Sequence, residues 1–145
     1  MFAKLIRRLT ETAPTELPQD DARLALAALL VRIARSDGQY ESIEVEKIQK
    51  ILAERYSLNG NQSNELLRDA EILEAQAPDT VRFTRSIKNA VPYQDRLAVI
   101  EAFWEVVLVD GARDAAEDSL LRLMTKLLGI TDVDSARARQ RVMAK

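Results

Sequence analysis

The amino-acid sequence predicts an all-α fold, a compact bundle of seven to eight helices built from two related halves. Three observations lead to it. Apolar residues recur at spacings of three and four along the chain, without the alternation that a half-buried strand requires. Breakers at Pro14, Pro18, Gly38, Asn59-Gly60-Asn61, Pro78, Pro92 and Gly129 divide the chain into segments of helix length. The chain also repeats itself: Asp37-Gly38 followed by Glu44 returns 73 positions later as Asp110-Gly111 followed by Glu117. At the same offset Arg23-Leu24-Ala25 falls on Arg96-Leu97-Ala98, and Leu26, Leu30 and Ile33 fall on Val99, Phe103 and Val106. Such self-similarity constrains the whole topology.

Residues 1–18 read as an N-terminal amphipathic helix, with Phe2, Leu5, Ile6 and Leu9 on one face, followed by a linker between Pro14 and Pro18. Residues 20–145 read as one domain, with the related segments at about 20–56 and 93–130. A deeply buried helix over 20–36 carries Leu24, Ala27, Val31 and Ala34, widened by Leu26, Leu30 and Ile33. Ser42 is the expected N-cap of a helix to Tyr56, with Val45, Ile48 and Leu52 on its apolar face. Ser63 is expected to open a helix to Gln76, and residues 80–90 form a shorter one. Pro92 suits the first turn of a second buried helix, 93–109, which holds Leu97, Ile100, Phe103, Trp104 and Val107. Asp114 and Glu117 have capping-box spacing before a helix with Leu120, Leu121, Met124 and Leu128, and Gly129 ends it. A last helix starts near Asp132.

Composition removes whole classes of chemistry. With 47% hydrophobic and 30% charged residues the chain is globular, and 145 residues suit one domain. The net charge of −2 supplies no basic field for nucleic acid. Absence of cysteine excludes disulfides, thiol nucleophiles and thiolate metal sites, and fits a cytoplasmic setting. Absence of histidine removes the usual general base and nearly every zinc geometry. Carboxylate chemistry is left. No apolar run reaches the roughly 20 residues that cross a bilayer, so membrane contact is expected only peripherally, through the N-terminal helix. Trp104 beside Phe103 reads as packing, and Arg137, Arg139 and Arg141 suit a helix C-terminus better than RNA. No nucleophile with an adjacent base, no phosphate-cradling loop and no cofactor fingerprint is present, so the chain is not expected to be an enzyme.

The repeated motif, Asp-Gly-x5-Glu, has half the spacing of a calcium loop. The other half fails, because the first ligand positions would be Ile33 and Arg35 in one copy and Val106 and Leu108 in the other. The motif carries a different resemblance. Ala34-Arg35-Ser36-Asp37-Gly38, a short turn and Glu44 opening the next helix resemble the signature of the TerB-like family, which includes tellurite-resistance TerB proteins and the N-terminal domains of some DnaJ-type co-chaperones. Val107-Leu108-Val109-Asp110-Gly111 with Glu117, then Leu127-Leu128-Gly129-Ile130, resemble its second half, so that the likeness covers about Asp20 to Ile130. It implies a duplicated helical fold, a bacterial stress-response association and an acidic metal-binding site. The co-chaperone role is not carried over.

From the residues themselves, packing of the two halves would bring Asp37, Glu44, Asp110 and Glu117 together, with Glu41 and Asp114 able to add oxygens. Such a cluster raises carboxyl pKa values or recruits a hard divalent cation such as calcium, magnesium or manganese. Two other readings stand beside it. In one the acids serve only the turns and helix dipoles of a plain protein-interaction module, and in the other the site belongs to a metal-dependent hydrolase. Protein partners are expected in the first two readings.

Overall fold

A computed structural model describes residues 19–35, 40, 42–76, 79–108 and 115–144. Among them are seven helices and no strand: α1 (Gln19–Ala34), α2 (Ser42–Tyr56), α3 (Gly60–Gln76), α4 (Thr80–Ala90), α5 (Tyr93–Val107), α6 (Ala115–Leu127) and α7 (Asp132–Met143). The all-α expectation holds. The expected N-terminal helix and linker lie outside the described residues.

The sequence of α1 explains its place. Every residue from Ala25 to Val31 is buried, as are Ile33 and Ala34. A helix that is apolar all round belongs in the middle of a domain, and α1 packs against α2, α3, α4, α5 and α6. The second buried helix, α5, contributes Val99, Ile100, Phe103, Val106 and Val107 to the same core. The two cross: α1 packs on α5, α2 packs on α5, and α6 packs on α1. Phe83 and Ile87 of α4, Leu73 of α3 and Leu121 and Met124 of α6 fill the remaining space.

The helix ends show where side chains take over the work of unpaired backbone groups. At α3 the Asn59 Oδ1 accepts from Gln62 N at 2.8 Å and the Gln62 Oε1 accepts from Asn59 N at 2.9 Å. This reciprocal pair is a capping box. It starts the helix at Gly60, three positions before the expected Ser63, whose Oγ instead donates to the Gly60 carbonyl at 3.1 Å. Ser42 is the first residue of α2, and Pro92 occupies the N-cap of α5. Thr131 caps α7 by accepting from Asp134 N at 3.1 Å. Gly129 has φ 75° after α6, a conformation that favours glycine, and a Cβ there would lie 2.9 Å from Lys88 Cε. Beside it Arg96 donates from Nε to the Val91 carbonyl at 3.0 Å and from a terminal nitrogen to the Leu128 carbonyl, closing the ends of α4 and α6 together.

Complete burial makes α1 the stability-determining helix. Leu29→Ala should lower the unfolding free energy by about 2–5 kcal/mol, the usual range for a buried leucine truncated in a packed core. Leu123→Ala, at a residue 42% exposed on α6, should cost under about 0.5 kcal/mol. Urea denaturation of both variants measures the contrast.

Candidate functional site

The described part of the first acidic turn lies where α1 ends and α2 begins. Arg32 and Arg35 leave the last turn of α1 and both meet Glu74 of α3. Arg32 Nε donates to Glu74 Oε1 at 3.1 Å and Arg35 donates to Glu74 Oε2 at 2.8 Å. Arg32 also donates to the Glu74 main-chain carbonyl at 3.2 Å. An arginine within so buried a helix requires partners of this kind, because desolvated charge is costly unless hydrogen-bonded. The remaining faces of both guanidiniums rest on rings: Arg32 lies 5.1 Å from the Phe83 centroid and Arg35 5.0 Å from that of Tyr40.

Tyr40 joins this ion pair to the motif. Burial, first, and the facing Glu71 carboxylate, second, push its hydroxyl well above the ordinary phenol range, against the pull of Arg35 and with a further push from Glu44. Two carboxylates therefore approach one buried hydroxyl. Glu44, in the first turn of α2, is 7% exposed, unusual for a glutamate. Its position suits the positive end of the α2 dipole.

Of the four expected site residues, Glu44 is thus placed in a buried, carboxylate-bearing turn. Asp37 and Asp110 lie outside the described residues, as do Glu41 and Asp114. Glu117 lies in the first turn of α6, and its side chain is outside the described set. No group of three or more metal-ligating side chains occurs among the described residues. Ile33 and Val106 are core residues of α1 and α5, so the helix continues through the positions where a calcium loop would start. Glu71 and Glu74 were not legible as site residues. Both come from α3; Glu74 lies 42 and 39 positions from its partners Arg32 and Arg35, and no local spacing announces such a pairing. No described helix is long and apolar enough to cross a membrane.

The Tyr40 hydroxyl gives the site a pH signature. Its proton is held more tightly in the folded state than in the unfolded chain, so its stabilising contribution is complete below the ordinary phenol pKa of about 10. It is lost as the pH rises through the higher folded value. The parent should therefore lose stability more steeply than Tyr40→Phe above pH about 10, measured by urea denaturation across that range.

No curated protein and no solved structure gives a significant match to the chain. The model of one family, described as the tellurite resistance protein TerB, matches residues 23–140. That span runs from the first turns of α1 to the last turn of α7 and contains both acidic turns, so the chain belongs to the TerB family.

Proposed function

We propose that this chain is a non-enzymatic binding domain, an adaptor in a bacterial stress-response system of the tellurite-resistance type, whose site is the pair of Asp-Gly-x5-Glu turns. The observation that carries the reading is the burial of Glu44 at the start of α2, where its charge and that of Glu71 both act on the Tyr40 hydroxyl. A buried carboxylate favours a hard cation, and an all-oxygen set suits calcium, magnesium or manganese. Asp37 in the same turn, and Asp110 and Glu117 in its repeat, would complete the ligand set. The cation would stabilise or regulate the surface that meets a protein partner in the cytoplasm.

The second reading is an interaction module in which the acids serve only the turns. It draws support from the Arg32, Arg35 and Glu74 closure, which already ties the end of α1 to α3 without any ion. A metal-dependent hydrolase is the third, and it requires phosphoester turnover.

Thermal unfolding of metal-stripped protein separates these readings. A cation at about 100 times its Kd stabilises the folded state by about 2.7 kcal/mol, or about 5–10 °C for a domain of this size. That shift should appear with millimolar calcium, magnesium or manganese and vanish in Asp37→Ala/Asp110→Ala, with Glu44→Gln reducing it. No shift with any ion, together with a large loss of stability in the double variant, would establish that the aspartates hold the turns.

A further inference from the structure

The last helix is held to the bundle by much less than the others. α7 buries only Ser135 and Ala138, whereas α5 beneath it buries seven residues and α3 carries Leu67 and Leu73 into the core. Among the described residues its one substantial helix contact is with α5. The printed side-chain ties across that contact are polar. The Tyr93 hydroxyl donates to Asp134 Oδ2 at 2.5 Å, Trp104 Nε1 to Ser135 Oγ at 3.4 Å, and Arg141 Nε to Glu101 Oε2 at 3.4 Å. The Arg139 guanidinium lies 5.5 Å from the Trp104 ring centroid. A helix docked through two small side chains and polar contacts gives up little apolar burial when it leaves. Elements with few buried apolar contacts form the low-stability end of a domain.

The chain that leads into α7 is anchored differently. After α6, Gly129 N donates to the Lys126 carbonyl and Ile130 N to the Thr125 carbonyl, both at 3.0 Å, and Ile130 is 5% exposed. Departure of α7 therefore leaves the end of α6 in place and pivots after Ile130, at Thr131. The helix also carries its own end signals. Thr131 caps it through Asp134 N, Asp132 and Asp134 occupy its first turn, and Arg141 lies in its last. These favour movement as one unit over fraying from the C-terminus.

We propose that α7 is a strap, hinged at Thr131, that lifts from α5 as one unit while the rest of the bundle stays folded. Lifting uncovers the face of α5 that carries Trp104, which is 9% exposed with α7 in place. An aromatic surface of the domain is thus conditional, hidden when the strap is down and presented when it is up. The device requires neither a metal nor the acidic turns, so its test stands apart from that of the proposed function.

Native-state hydrogen exchange of the full chain reads the opening directly. Amides of residues 136–141 should share a common protection factor at least about tenfold below that of the amides of residues 28–31 in α1, as expected of a unit that opens below global unfolding. Tyr93→Phe keeps the ring and removes the hydroxyl tie. It should lower protection in α7 several-fold and leave α1 unchanged. A second readout uses the absence of cysteine from the chain. Ala138 and Ala28 are both 0% exposed, so a thiol reagent reacts with Ala138→Cys or Ala28→Cys only on opening, and the first should be labelled at least about tenfold faster under native conditions. Equal protection in α7 and α1 overturns the proposal. So does an equal loss of protection in both helices on Tyr93→Phe, which would place α7 in the global folding unit. Protection that declines steadily from residue 136 to residue 141 also overturns it, because the end of the helix then frays without lifting.

Discussion

Five of the described helices are arranged around one whose middle has no solvent face. From Ala25 to Val31, α1 offers only apolar side chains, and each of them is buried. A helix of this kind must be surrounded, and α2 to α6 do so. Burial also restricts the polar groups it can carry. Arg32, in its last turn, is tolerated because Glu74 accepts from it twice and Phe83 covers its face. The same Glu74 takes Arg35, so the place where the chain leaves the core is fixed immediately before the first acidic turn. Stability and site geometry are thus set by the same residues.

Arginine and aromatic side chains are used together throughout. Arg23 lies over Tyr56 at 4.6 Å, Arg96 over Tyr93 at 5.3 Å, and the pairs at Phe83, Tyr40 and Trp104 have already been described. With aromatic residues forming only 5% of the chain, most rings serve as platforms for a guanidinium. Such contacts add about 0.5–2 kcal/mol each, depending on desolvation. Their second effect is positional. A guanidinium lying on a ring keeps its donors in one plane, and these are then aimed at a carboxylate, as at Arg35, or at main-chain carbonyls, as at Arg96.

The helices were legible because spacings of three and four are a direct consequence of helix geometry, and the central position of α1 followed from its continuous apolar sequence. The start of α3 was misread for a physical reason. Asn59-Gly60-Asn61 has turn composition, but Asn59 and Gln62 satisfy each other's backbone amides and thereby make a helix terminus of the turn. The candidate site was legible only in its local half. Glu44 follows from the motif, whereas Glu71 and Glu74 reach the turn from α3 through packing that local spacing does not encode. The same is true of the contact between α5 and α7. Arg139 and Trp104 each read as an ordinary residue of its own helix, and only α7 lying on α5 brings the guanidinium onto the indole.

The two segments that the 73-residue offset superimposes in sequence also divide the work unequally. In the first, polar and apolar residues close α2 onto α3, with Gln49 and Asn64 completing the seam. In the second, Arg122 and Arg137 stand at the corresponding positions, while Tyr93 holds α7 to the start of α5 by donating to Asp134 Oδ2 at 2.5 Å. The core beneath is nearly the same in both, since Ile48 and Leu121 are buried at matching positions. A change confined to the outer seam therefore leaves the buried helices undisturbed. Trp104, Leu121 and Ile130 beneath this seam are buried although α6 and α7 have no substantial contact among the described residues, because each of the two helices packs on α5 instead.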